Sequence, residues 1–129
     1  MTDQEWLTFF TICAKVLGPG NRIASKSAFW CSWTTFSKLS DDVFYWRCGL
    51  PSVDDLMPTH IKDSGTWGQP FLYQDIAHII LPRSFFWDTT EGGYEAGEKT
   101  QDLDRLSQEL TAAGIKHRLT ELVLEIKLY

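Results

Sequence analysis

Two hydrophobic periods alternate along this chain, and their order sets out a fold. Trp6, Phe9, Phe10, Cys13, Val16 and Leu17 recur at the spacing of one helical face, about 3.6 residues per turn. Thr2 and Glu5 stand just ahead of them as a capping box, the Thr2 hydroxyl accepting from the Glu5 amide while the Glu5 carboxylate reaches back. Gly18-Pro19-Gly20-Asn21 then stops the helix. After it the period shortens to two. Residues 29–36 and 43–48 are rich in aromatic and β-branched side chains, with Phe29, Cys31 and Trp33 on one face, and turn formers lie between the two runs. They predict a β-hairpin, with Arg22-Ile23-Ala24-Ser25 as a short edge strand before it.

Ser52 is placed to cap one helical turn over residues 51–57, with Asp55 at its third position. From Pro58 to Phe71 no period survives, and this is the longest expected loop. Tyr73 to Leu81 is again a strand, with Ile76, His78 and Ile80 on one face and Ala77, Ile79 and Leu81 on the other. Apolar residues on both faces mark it as central. Gly92-Gly93 between Phe85-Phe86-Trp87-Asp88 and Tyr94-Glu95-Ala96 predicts a second hairpin, because glycine accepts positive φ at both turn positions. Leu103, Leu106, Leu110 and Ala113 repeat as a helix, with Thr100 as its expected cap and Gly114 just past its end. Two closing strands follow, residues 115–119 and 123–129, with Leu124, Ile126 and Leu128 inward and Glu125 and Lys127 outward. The order predicts one α+β domain over residues 1–129: a two-layer sandwich of a mainly antiparallel sheet and two long helices.

Composition and charge narrow the function classes. Of the 129 residues, 14% are aromatic, including six tryptophans. Cys13, Cys31 and Cys48 are odd in number and widely spaced, which points to buried free thiols in a reducing compartment. The acidic start Met1-Thr2-Asp3-Gln4-Glu5 does not read as a secretory signal, and no apolar run reaches the ~20 residues that span a bilayer. The expected location is therefore the cytoplasm. Charge is uneven. Residues 1–50 carry five basic against four acidic side chains, residues 51–98 two against eight, and residues 99–129 five against five. The acidic middle disfavours nucleic acid and anionic membrane and favours a basic protein partner.

Gln101-Asp102-Leu103 at a helix start, the run from Gly114 to Thr120, and Leu124-Glu125-Ile126-Lys127-Leu128-Tyr129 form a distinctive ending. With the strand entry Tyr73-Gln74-Asp75-Ile76, this ending resembles that of a family of small uncharacterised bacterial proteins. The resemblance covers about the second half of the chain. It implies a bacterial, cytoplasmic, single-domain protein and carries no activity.

Candidate chemistry is sparse. No Cys-x-x-Cys or His-x-x-x-His spacing delivers paired metal ligands, so no metal and no cofactor is expected. The glycine pairs do not lie between a strand and a helix, where amides cradle phosphate. Asp75 and His78 fall on opposite faces of one strand, and Glu121 with Glu125 reads as an outer stripe, so no catalytic residue is assigned. What remains is aromatic and acidic together: Trp67 in the long loop, and Asp88, Glu91, Tyr94 and Glu95 on the second hairpin. These are the expected partner-binding residues, since buried tryptophan dominates many interfaces and charge steers encounter. Trp67 has a second role open to it, folding back to plug the edge of the core. The residues favour a non-catalytic binding protein, in concrete form an immunity protein that neutralises a bacterial toxin. The alternative is a small enzyme or ligand-binding domain with a pocket near His78, His117 and Arg118.

Overall fold

A computed structural model describes residues 1–20, 27–62, 67, 69–90 and 92–129, and of Thr89 the backbone alone. Helix α1 (Asp3–Leu17) starts on the Thr2 cap with both halves of the capping box formed, and it buries Trp6, Phe9, Phe10, Cys13 and Leu17. It ends at Gly18, where φ is 126° and a β-carbon would collide with the Phe29 ring. Strands β1 (Trp30–Thr35) and β2 (Trp46–Gly49) form the expected antiparallel hairpin, with Cys31 opposite Cys48 and Trp33 opposite Trp46. Between them lies a short helix that hydrophobic periodicity did not signal, α2 (Phe36–Ser40), capped by the Thr35 hydroxyl accepting from the Lys38 amide. Strand β2 begins at Trp46 rather than at Val43, because Asp42 and Val43 take positive φ values of 75° and 48° and break the extended backbone.

The Ser52 cap holds a short 3-10 turn, Val53–Asp55, by accepting from the Asp54 amide. Within the expected loop, β3 (His60–Ile61) pairs with β4 (Phe71–Leu72). Tyr73–Asp75 is a second 3-10 turn rather than the start of a strand, and β5 (Ile76–Pro82) follows it. Strands β6 (Ser84–Thr89) and β7 (Glu95–Thr100) make the second hairpin. Helix α3 (Leu103–Ala112) is capped by Asp102, whose carboxylate accepts from the Arg105 amide, and not by Thr100, which is the last residue of β7. Gly114 follows its end with φ of 74°. The closing strands are shorter than expected: β8 (Arg118–Leu119) and β9 (Val123–Lys127). The edge strand expected at Arg22–Ser25 lies outside the described residues.

Five strands form one sheet in the order β2-β1-β5-β9-β8, every neighbouring pair antiparallel, with β5 at the centre as its two-sided apolar pattern required. Helices α1 and α3 pack together over one face of it, giving the two layers of an α+β fold. Trp33, Ile79, Leu81, Leu124 and Ile126 point into that layer and are buried with Leu103, Leu106 and Leu110 of α3. Trp33 is the hub. Its ring is stacked between Trp46 at 4.5 Å and Trp67 at 3.9 Å, with Phe71 edge-on at 4.4 Å. Such pairs contribute roughly 0.5–1.5 kcal/mol each beyond the area they bury. All three cysteines are free and buried, and burial pushes the Cys13 and Cys31 thiols well above their usual range.

Two polar residues fasten the second hairpin to this body. Gln101, 4% exposed, accepts from the Trp30 amide at 3.0 Å and donates to the carbonyls of Trp30 at 3.1 Å and Pro82 at 2.8 Å. Arg83 grips Asp104 with both terminal nitrogens and donates to the Glu121 and Thr120 carbonyls.

Candidate functional site

The β6–β7 hairpin projects as an arm. Its strands pair from Ser84 opposite Thr100 to Thr89 opposite Glu95, and the extensive packing of each strand is with the other. Strand alternation gives the arm two faces. Phe85 and Trp87 share one; Phe85 stacks on Trp30 of the sheet at 6.1 Å, and Lys99 sits 3.9 Å above the Trp87 ring. Phe86 and Asp88 share the other, where Phe86 lies opposite Glu98 and Asp88 opposite Ala96. Phe86 is 71% exposed and Tyr94, beside the Gly92-Gly93 turn, is 69% exposed. Asp88, Glu95 and Glu98 are exposed around them. Residues 84–100 hold four acidic side chains, Asp88, Glu91, Glu95 and Glu98, against the single base Lys99. Glu91 lies outside the described residues.

Trp67 does not belong to this surface. It is 3% exposed and buried against Trp33, Phe10 and Phe71, so it takes the second of its two roles and plugs the core. The reason is the depth of the aromatic stack: a ring at 3.9 Å from Trp33 gains more from that contact than from water.

The sheet face away from the helices carries a second arrangement. Strand β5 turns His78 onto that face, where it is only 7% exposed. Its Nε2 lies 2.8 Å from Glu125 Oε2 on β9, and its Nδ1 lies 2.8 Å from the Tyr45 hydroxyl. Tyr45 in turn meets the Tyr129 hydroxyl at 3.0 Å, and Arg118 donates to the other oxygen of Glu125 at 3.1 Å. With Glu125 ionised, the donors follow: His78 Nε2–H donates to Glu125, Tyr45 donates to His78 Nδ1, and Tyr129 donates to Tyr45. The hydrogen bond from His78, helped by Arg118, holds the Glu125 carboxyl below its usual value. Burial and the contact with Tyr129 push the Tyr45 phenol up to about 12. Chemically this is an oriented imidazole on a carboxylate, connected to solvent through two phenols.

The structure therefore joins His78 and Arg118 through Glu125 and leaves His117, though next to Arg118 in the chain, outside that set of hydrogen bonds. His117 Nδ1–H donates to the Ile115 carbonyl at 2.8 Å, and its Nε2 takes the Ser107 hydroxyl of α3 at 2.7 Å. Both ring nitrogens are occupied. Glu121 sits in the turn before β9, so it does not pair with Glu125 on one strand. Beside β9 a cleft of about 720 Å³ is lined by Lys116, His117, Arg118, Glu125, Lys127 and Leu128, with Met1 and Glu5 of the first turn at its margin.

Tyr45, Glu125 and Tyr129 complete this arrangement and were not singled out as site residues. Alternation along each strand carries their direction, but nothing local carries the neighbourhood of β5 and β9. Among the described residues no three His, Cys, Asp or Glu side chains cluster as a metal site, and no helix is long and apolar enough to cross a membrane. No family model, curated protein or solved structure matches the chain.

Proposed function

We propose that this chain is a protein-binding domain that docks a basic partner on the β6–β7 arm, in concrete form an immunity protein that neutralises a bacterial toxin. The observation that carries the reading is the arm itself: two large aromatic side chains, Phe86 and Tyr94, held out in solvent among a net excess of carboxylates. An isolated two-stranded ribbon is marginal in water. This one is nevertheless pinned at its base by Gln101 and Arg83 and by Phe85 on Trp30, while Phe86 and Tyr94 are directed away from the core. Rigid aromatics supply the buried anchors of an interface, and the surrounding acids raise the rate at which a basic surface finds them. Tyr94 and the acids contribute in different ways, so their variants separate.

The test is titration calorimetry and stopped-flow binding against the basic toxin domain that the immunity role requires beside this gene, with a growth-rescue assay in parallel. Phe86→Ala with Tyr94→Ala is expected to weaken binding about 100-fold or more, mostly through faster dissociation. Asp88→Lys with Glu95→Lys is expected to slow association and reverse its salt dependence. Unchanged affinity in both pairs, with wild-type rescue from the toxin, removes the arm from the interface. A neighbouring gene product that is harmless to the cell removes the immunity role.

A further inference from the structure

The cleft beside β9 exists because β8 is short. Strand β8 pairs with β9 at two positions, Arg118 opposite Glu125 and Leu119 opposite Leu124. Before Arg118 the chain leaves the sheet. Ile115 is buried in the core, its amide donating to the Leu110 carbonyl at 2.9 Å, and His117 is tied to Ser107 of α3. Residues 114–117 thus lean on the helix layer, and the edge of β9 beyond Glu125 faces open space. The Leu128 amide donates to Ala77 of β5, so the neighbouring amide and carbonyl of Lys127 point the other way, into the cleft.

The charges around this space are not balanced in use. Lys116, Arg118 and Lys127 stand on its rim and are exposed; the Lys127 ammonium lies 4.7 Å from the centre of the Tyr129 ring, a surface contact that an anion can share. The two carboxylates that line it are already engaged: Glu5 in the capping box with Thr2, and Glu125 between His78 and Arg118. Arg118 spends one terminal nitrogen on Glu125, which orients the guanidinium, and keeps further N–H donors for a planar oxyanion. Met1 and Leu128, both partly buried, add apolar surface. The volume, about 720 Å³, falls within the range of roughly 300–1,000 Å³ of small-molecule sites.

We propose that this cleft binds a small organic anion, with a carboxylate or phosphate head held by Lys116, Arg118 and Lys127 and an apolar body lying along Met1 and Leu128. His117 is a positioning residue in this site: its bonds to Ser107 of α3 and to the Ile115 carbonyl hold the cleft open. The site is separate from the arm, and neither depends on the other.

The experiment is a ¹⁵N-resolved NMR titration of the full chain with four probes: phenylacetate, phenyl phosphate, inorganic phosphate and neutral benzyl alcohol. Shifts confined to the amides of 116–118 and 126–128 are expected for the two aromatic anions, with Kd of about 1 mM or tighter. Inorganic phosphate is expected to bind about tenfold more weakly, which is about 1.4 kcal/mol for the apolar body, and benzyl alcohol not to shift these amides. Saturation by phenylacetate alone assigns a carboxylate head, and by phenyl phosphate alone a phosphate head. Lys116→Gln with Lys127→Gln, both exposed and outside the core, should cost about tenfold or more. His117→Ala should weaken both anions, with the wild-type spectrum kept elsewhere. Phe86→Ala with Tyr94→Ala should leave the titration unchanged, which keeps a failure here distinct from a failure at the arm. No localised shift with 10 mM of either aromatic anion (about tenfold above that Kd), or equal shifts in the double Lys variant, overturns the proposal.

Discussion

Replacing Trp67 with alanine tests whether the aromatic stack, rather than a partner, explains this residue. The indole is 3% exposed, stacked on Trp33 at 3.9 Å and met edge-on by Phe10 at 5.8 Å and Phe71 at 6.0 Å. Truncating a buried tryptophan to alanine costs about 3–5 kcal/mol through lost transfer energy and the cavity left behind. One term opposes this. The indole nitrogen is buried with no hydrogen-bond partner among the described residues, and an unsatisfied buried donor costs about 1–3 kcal/mol that the variant no longer bears. For a neutral donor the offset lies at the lower end, about 1 kcal/mol, and the net expectation is a loss of about 2–4 kcal/mol. At a urea slope of about 1.5 kcal/mol per molar, the midpoint falls by about 1.3–2.7 M with the slope unchanged. Trp67→Phe separates the two terms: it keeps a ring against Trp33 and removes the orphaned N–H, so it should lie within about 1 kcal/mol of wild type. Urea unfolding followed by far-ultraviolet circular dichroism measures both. A loss below about 0.5 kcal/mol for Trp67→Ala would refute the reasoning, because no cavity in this stack closes that cheaply.

Gln101→Ala removes three buried hydrogen bonds to Trp30 and Pro82 and should cost about 2–4 kcal/mol, read as a lower thermal midpoint, with the arm amides exchanging faster than those of β5. Glu125→Gln should destabilise by about 1.5–3 kcal/mol at pH 7, since it replaces the ionised acceptor of a nearly buried His78 bond, while the exposed Arg118 partner adds little. The pH dependence has a definite sign. The folded Glu125 carboxyl titrates below its ordinary 4.5, so its contribution is present above that value and is lost as pH falls through the lower folded value. Chemical-denaturation curves of wild type and Glu125→Gln should therefore converge as the pH falls below that lowered value, and a gap that stays constant down to about pH 2 would contradict the ionised acceptor.

The legible part of this fold is its local part. Helix α1 was readable to its cap because the box, the apolar face and the glycine stop all lie within eighteen residues of one another. The arm was readable for the same reason: Gly92 and Gly93 adopt φ of 74° and 115°, and the alternation on either side fixes the faces. Helix α3 was placed correctly but capped wrongly. Thr100 and Asp102 are both good caps, and the choice fell to Gln101, whose side chain is drawn inward to three partners on β1 and β5. No pattern near residue 100 encodes that. The choice between the two roles of Trp67 was undecided for a related reason. It has no periodic neighbours, so its burial depends on where Trp33 and Phe71 arrive from elsewhere in the chain.

The arrangement around His78 shows where such reading stops. The direction of each side chain was available: His78 faces away from Ala77 and Ile79, and Glu125 away from Leu124 and Ile126. What was missing is register, the fact that β9 lies next to β5 with Lys127 opposite His78 and Glu125 opposite Ile80. A shift of one residue would have turned Glu125 to the helix layer and buried its charge among Leu106 and Ile79. The pairing is therefore enforced by the apolar set Leu124, Ile126 and Leu128, and the hydrogen bond between His78 and Glu125 is a consequence of packing on the other face. The same logic separates His117 from His78. Both were singled out as imidazoles, yet burial of Ile115 carries His117 toward α3 and Ser107, where it shapes a cleft instead of joining a relay. Chemistry on this sheet is assigned by which neighbours the core chooses, and only then by which residues carry protons.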